Sequence, residues 1–207
     1  MAYSDFTFIK LRQKFGIEQE DTRLFEVQNI VRCVPSQRLL EDVAEAEEMP
    51  LMSEKAKSES LIAPIIREMK RRNKQISIYS GYTFNVDIAN ELSGSPDFMI
   101  SATPKIVELQ SPIFCLVESK NKTPDEGFAQ CAAEMYAAKI YNEQNGEPRK
   151  AIFGTVTNAF DWIFLKLENN TIYIDKSRYF LNDLPLLIGI LQNIIDQSLN
   201  DGANKIK

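Results

Sequence analysis

The 207-residue chain contains no histidine. Ser-His and Cys-His nucleophile pairs, imidazole-ligated zinc or iron and every histidine general base are excluded together, so any chemistry must run on carboxylates, amines, hydroxyls or thiols. Cysteine is scarce and odd in number. Cys33, Cys115 and Cys131 lie among apolar neighbours, which suits a reducing compartment better than a disulfide framework or a zinc site. With 8 glycines and 9 prolines the chain is neither collagen-like nor of low complexity. No apolar run approaches the ~18 residues needed to span a bilayer, and residues 1–15 lack a basic segment followed by an apolar core. The expectation is a soluble, cytoplasmic protein with no membrane partner. What is present, 44% hydrophobic and 26% charged residues, fits an ordinary globular domain.

The net charge of -5, from 24 basic and 29 acidic residues, argues mildly against bulk attraction to nucleic acid. The acidity is uneven. Residues 1–50 carry 6 basic and 10 acidic side chains, residues 51–150 carry 13 of each, and residues 151–207 carry 5 and 6. Residues 1–50 read as an extension packed on a main domain of residues 51–207. The extension contains an alternating segment at 6–11, an apolar stretch at 24–31 and an amphipathic helix over 36–49.

In the main domain, Leu61, Ile62, Ile65, Ile66 and Met69 recur at helical spacing, so a helix is expected over 53–72, kinked at Pro64. Strands are expected at 76–86, 97–101 and 113–118, the last nearly all apolar and therefore central in a sheet. An Ala-rich helix follows over 124–142, with Thr123 as N-cap, Pro124 in the first turn and acids near the positive helix end. Strands at 151–156, 162–167 and 171–174, with Glu168-Asn169-Asn170 as a hairpin turn, precede a final amphipathic helix over 183–199. The order is α/β, a mostly antiparallel front half joined to a crossover helix.

Pro96-Asp97 opens one strand, and the apolar strand Ile113-Phe114-Cys115-Leu116-Val117 runs straight into Glu118-Ser119-Lys120. Glu118 and Lys120, two apart on a strand, share a face. If the two strands are neighbours, Asp97 and Glu118 meet at one end of the sheet with Lys120 beside them. Two carboxylates within ~4 Å repel unless a cation sits between them. Mg²⁺ is the natural occupant, a hard ion that takes one or two carboxylates plus waters and phosphate oxygens. Such a metal activates water and clamps a phosphodiester oxygen, while the lysine ammonium positions the nucleophile or stabilises developing charge.

This arrangement resembles the PD-(D/E)xK nuclease superfamily. The resemblance implies a restriction-endonuclease-like core, a central mixed β-sheet flanked by helices in the order αβββαβ, here with an N-terminal extension. It also implies Asp97 and Glu118 as ligands of Mg²⁺ or Mn²⁺ and Lys120 as the catalytic cation. Glu68-Met69-Lys70 spells the same tripeptide on a helix; context separates the two. Many members carry a glutamine just after the lysine, which matches Gln130, and Glu134 shares its helix face by i,i+4 spacing. Members also often place a glutamate on the first helix. At ~100° per residue Glu54 falls within the arc of Leu61 and Ile65, whereas Glu59 lies towards the stripe's edge, so Glu54 is the better candidate. The stretch from Ser53 to Ile66 is also similar to nuclease domains of type I restriction subunits. So is Gly154-Thr155-Val156-Thr157-Asn158 followed by Trp162 and Leu167. The resemblance covers about residues 53–175.

Each of these residues also has a structural explanation. Asp97 can be a turn residue, Glu118 and Lys120 a solvated strand end, and Gln130 and Glu134 an exposed helix face. Trp162, Phe164, Cys115 and Cys131 fit a core. Lys70-Arg71-Arg72-Asn73-Lys74 fits a basic helix end that could also touch phosphates.

Three functions follow. The leading one is a Mg²⁺-dependent nuclease acting on nucleic acid, DNA first, with a homodimer compatible with its size. The second is an inactive superfamily member that binds nucleic acid or protein. The third is a protein-directed role using the helix at 36–49 or at 183–199 as a dimerisation surface. The loop over 102–112 is the expected place for substrate contacts.

Overall fold

A computed structural model describes residues 2–104 and 108–203. The chain begins with α1 (Phe8–Phe15), where the Thr7 hydroxyl accepts the Lys10 N–H at 3.2 Å and Gly16, at φ +66°, ends the helix. After β1 (Glu18–Thr22), Ser36 caps α2 (Gln37–Glu47) through the Leu39 N–H. Ser53 caps α3 (Glu54–Lys57), which continues through a π-helical turn, Ser58–Ile62, into α4 (Ala63–Arg72). Then come β2 (Ser77–Ser80), β3 (Phe98–Ser101) and β4 (Ile113–Ser119). A 3₁₀ turn, Pro124–Gly127, leads into α5 (Phe128–Gln144). The chain closes with β5 (Ala151–Thr157), β6 (Asp161–Glu168), β7 (Thr171–Asp175), β8 (Tyr179–Phe180) and α6 (Leu184–Ala203).

One mixed sheet gathers all eight strands in the order β1-β7-β6-β5-β4-β3-β2, with β8 paired to β6. β4 runs antiparallel to β3 and parallel to β5, and α5 is the crossover between β4 and β5. Every residue of β4 is buried. On one face of the sheet, Ile62 of the π-helical turn, Ile65, Ile66 and Met69 of α4 and Leu187, Ile188 and Leu191 of α6 pack with Phe114 and Val117. On the other, Cys131, Ala132 and Met135 of α5 pack with Leu116, Val156 and Ile163. The N-terminal residues Tyr3, Phe6, Leu11 and Ile17 join this second core, and the rings of Phe15 and Tyr136 lie 4.8 Å apart. α5 is thus covered on both sides, which explains its run of alanines and its lack of a polar outer face.

The α/β order and the strands β3 to β7 fall within about two residues of the expected ranges, whereas the short β8 was not expected. Three expectations need correction. The 6–11 segment is the start of α1: six residues of alternation cannot separate a period of 2 from one of 3.6, and the Thr7 cap decides. The 76–86 strand stops at Ser80, because Gly81 at φ +58° turns the chain away. The break expected at Pro64 falls one turn earlier. Pro64 lies in the first turn of α4, where a missing N–H is tolerated, and the Ala63 N–H reaches back to the Ser58 carbonyl in the widened turn. β1 lacks any apolar alternation and was not expected at all; it pairs in parallel with β7, so the first fifty residues add a strand to the sheet.

Most of the apolar stripes on α2 and α6 packs inside the chain, with Leu39, Ala46, Ile190 and Ile194 buried, while Leu40 is exposed. Among the described residues no helix is long and apolar enough to cross a membrane. Residues 105–107 of the expected contact loop over 102–112 lie outside the described residues.

The approach of α5 to the sheet depends on Gly154. A Cβ there would lie 2.5 Å from Met135 Sδ and 2.7 Å from Cys131 Sγ. Gly154→Ala is expected to lower the unfolding free energy by about 1–3 kcal/mol in urea denaturation. The penalty should shrink in a Met135→Ala background, where the nearer of the two obstructing sulfurs is gone.

Candidate active site

The pairing of Phe98 with Val117 sets Asp97 opposite Glu118 at the same end of the sheet. Asp97 is half-buried, and its Oδ2 accepts the Ser119 N–H at 2.7 Å. Oδ1 has no hydrogen-bond partner among the described residues. Glu118, the penultimate residue of β4, is only 4% exposed. Its Oε1 accepts the Lys120 ammonium at 2.6 Å and the Gln130 side-chain amide. Its Oε2 is buried with no hydrogen-bond partner.

Lys120 lies one residue beyond β4, held by its backbone N–H on the Thr157 carbonyl at 2.8 Å. Its ammonium also donates to Gln130 Oε1 at 3.0 Å. Two of its three donors are therefore used, and the third has no partner among the described residues. Gln130, on the first turn of α5, donates to Glu134 Oε1 at 3.1 Å. Glu134 is fully buried, its Oε2 likewise without a partner. The sequence thus brings Asp97, Glu118, Lys120, Gln130 and Glu134 into one network. Glu54, the first residue of α3, is half-buried and near enough that its charge acts on both Glu118 and Lys120. Glu59 is exposed beside Lys55, 3.9 Å away, and has no part in the cluster.

Four carboxylates face one ammonium here, an excess of negative charge in a largely buried site. Burial, helped by the Asp97 charge and opposed by Lys120, pushes the Glu118 carboxyl up to about 7. Burial and the neighbouring Glu118 charge drive Glu134 well above the usual carboxylate range. Burial works against the Lys120 charge, but Glu118 outweighs it and the ammonium is held more firmly. Excess negative charge in a desolvated site is relieved either by protons or by a cation. The open Oε2 of Glu118 beside Asp97 suits a hard divalent ion with oxygen ligands, which needs no more than one or two carboxylates. Among the described residues no group of three or more acidic, thiol or imidazole side chains converges as a metal cage.

Further contributors were not foreseen. The Lys57 ammonium donates to the Asn121 carbonyl at 2.6 Å, tying α3 to the loop after Lys120. Its position three residues from Glu54, on the same helix face, was the available signal. Gly127 is the other: a Cβ would lie 2.9 Å from Lys120 Cε and 2.6 Å from Val156 Cγ1, so only glycine lets the start of α5 meet the lysine stem. A glycine leading into a helix without a left-handed φ is the trace of such an approach.

The remaining candidates are structural. Trp162 is fully buried, its indole N–H on the Ala159 carbonyl, and burial pushes the Cys115 thiol up to about 12. Glu68 of the second Glu-x-Lys is buried by Ser36, Arg71 and Arg72, so two members of the basic run 70–74 are engaged by it.

The two raised carboxyls fix a pH dependence. Unfolded glutamate titrates near ~4.3, so between there and about pH 7 the native state holds more protons than the unfolded chain, and stability falls as pH rises. In the presence of a chelator, urea midpoints should drop from pH 5 to pH 8. Glu134→Gln should flatten that profile and exceed the wild type at pH 8. A wild-type profile that rises with pH would contradict the protonated cluster. No family model and no curated protein matches the chain, so the meaning of this cluster rests on its own geometry.

Proposed function

We propose that the protein is a Mg²⁺- or Mn²⁺-dependent nuclease of the PD-(D/E)xK kind, hydrolysing phosphodiester bonds of nucleic acid, DNA in the first instance. Supporting the restriction-endonuclease-like core is the run of α4, the antiparallel β2, β3 and β4, the crossover α5 and the parallel β5. The observation that carries the reading is the placement of Glu118: opposite Asp97, with one oxygen on Lys120 and the other buried and unpartnered.

In this reading Asp97 and Glu118 hold the metal, with Glu54 adding negative charge at the margin. A bound ion would supply Lewis-acid polarisation of a phosphate oxygen and a lowered water pKa. Lys120 offers its unused N–H to the scissile phosphate region, where a fixed ammonium in a dry site stabilises developing charge more than it could in water. Gln130 holds both Lys120 and Glu118, so the ammonium is oriented before substrate arrives. A cytoplasmic setting goes with this reading.

Purified protein with Mg²⁺ or Mn²⁺ is expected to cut plasmid or single-stranded DNA, and a chelator should abolish cutting. Asp97→Asn and Lys120→Ala should each lose roughly 10²–10³-fold in rate. Cleavage unchanged in both variants would remove the assignment. One observation favours an inactive binding module: Glu118 Oε1 is already satisfied by Lys120 and Gln130. Calorimetry separates the two readings. The nuclease should bind Mn²⁺ and lose that binding in Glu118→Gln, whereas the module should show no heat at millimolar metal.

A further inference from the structure

A second surface lies against the opposite face of the sheet's β2 edge. There α4, the start of α2 and strand β2 enclose a groove of about 780 Å³. Its lining includes Arg38, Arg67, Lys70 and Arg71 and no acidic side chain. The nearby carboxylate, Glu68, pairs with Arg71 and Arg72 and not with Arg38, Arg67 or Lys70. Glu68 is 2% exposed and already accepts from Ser36, Arg71 and Arg72. Arg38 and Arg67 are exposed and have no ion-pair partner among the described residues, although Arg67 also borders a shallow depression lined by Asp42, Glu45 and Glu59. The floor is weakly apolar, with Ala63 and Ile78 partly buried.

The groove has a direction. From Ala63 to Arg71 is eight helical rises, about 12 Å at about 1.5 Å each. A nucleic-acid strand places one phosphate per about 3.4 Å of axis, so this length matches three to four phosphates. The groove is also lined by Ser80 and Phe98, which are register partners. The residue before Phe98 is Asp97, and the Gly81 N–H donates to the Asp97 carbonyl at 3.0 Å. The groove therefore reaches the end of the sheet that holds Asp97, whose side chain lies on the opposite face from Phe98.

We infer that this groove binds the phosphate backbone of the nucleic acid on the α4 face, at the end of the sheet that holds Asp97. The choice of nucleic acid over another polyanion rests on the function proposed above; the competing occupant is an acidic peptide lying beside the β2 edge. Unpaired guanidiniums suit phosphates because they present a planar fork of donors and stay charged at any relevant pH.

The test uses the full chain in a chelator, so that no cleavage occurs, with a fluorescein-labelled 20-nucleotide single-stranded DNA and the matching duplex. Anisotropy titrations from 50 to 200 mM KCl give the salt slope. Arg38→Gln with Arg67→Gln should weaken binding and reduce the slope of log Kd against log salt by about 1.5, the loss expected for two phosphate contacts. Lys150→Gln with Lys176→Gln removes the same charge elsewhere and should leave the slope unchanged. Wild-type binding that is unaffected by the arginine pair, or that falls equally in the lysine pair, overturns the groove. So does displacement of the DNA by a poly-glutamate of equal length as readily as by unlabelled DNA, or failure of the wild type to bind either DNA. Cleavage is scored separately with Mg²⁺. Loss of binding in the arginine pair by a protein that never cuts would uphold the groove and end the nuclease reading. Cutting by a protein whose binding ignores the arginines would do the reverse.

Discussion

The burial of β4 on both faces is the constraint from which the rest of the molecule follows. A strand of Ile, Phe, Cys, Leu and Val cannot leave either side to water, so helices must cover both. α4 and α6 take one face, and α5, as crossover to the parallel β5, takes the other. The same register that buries Val117 against Phe98 continues one residue further and sets Asp97 opposite Glu118. Because β5 runs alongside, its Thr157 carbonyl is in place for the Lys120 N–H. The charged end of the strand is therefore aimed and dried by packing that the apolar residues require in any case.

Drying a carboxylate is costly, and the arrangement offsets only part of that cost. Lys120 and Gln130 satisfy Glu118 Oε1, and Gln130 reaches Glu134 Oε1, yet the second oxygen of each glutamate is orphaned. A fold under selection for stability alone would replace such a partly satisfied network with apolar side chains. Glycines at 127 and 154 deepen the point, since both give up side-chain packing to let α5 come close. The N-terminal residues then seal α5 from outside, with Tyr3 near enough to feel the Glu134 charge while its hydroxyl donates to the Phe84 carbonyl at 2.7 Å. Buried carboxyls with raised pKa held in this way are what motivates the function proposed above.

How much of this was legible depends on whether the signal is local. The run from Ile113 to Lys120 announces a buried strand with a charged end, and period 2 then places Glu118 and Lys120 together. Glu54 could be ranked above Glu59 because the helical stripe gives an angle to each residue. β1 was invisible for a physical reason: Glu-Gln-Glu-Asp-Thr is an exposed edge strand that buries little, and only its backbone pairing with β7 makes it a strand. The site's hidden parts are of the same kind. The Ser119 N–H and the Thr157 carbonyl are backbone groups with no residue-type signature. Gly127 matters for an atom it lacks.

Composition misleads most about charge. The overall value of -5 suggests a chain that repels polyanions. Yet Glu18, Glu20 and Asp21 stand on β1, at one edge of the sheet, while the basic groove lies along β2, at the other. Seven strands in the path leave six gaps, and at about 4.8 Å per gap the two edges are separated by about 29 Å. Screening at physiological salt has a length of about 8 Å, so the acidic edge does little to cancel the field in the groove. Sign and strength of attraction are then local properties. The groove offers Arg38, Arg67 and Lys70 at one edge of the sheet, and the carboxylate cluster beside Asp97 repels phosphate until it is neutralised. A cation held by Asp97 and Glu118 would complete that neutralisation, so backbone docking along α4 and metal occupancy of the carboxylate pair should reinforce each other, each lowering the electrostatic cost of the other.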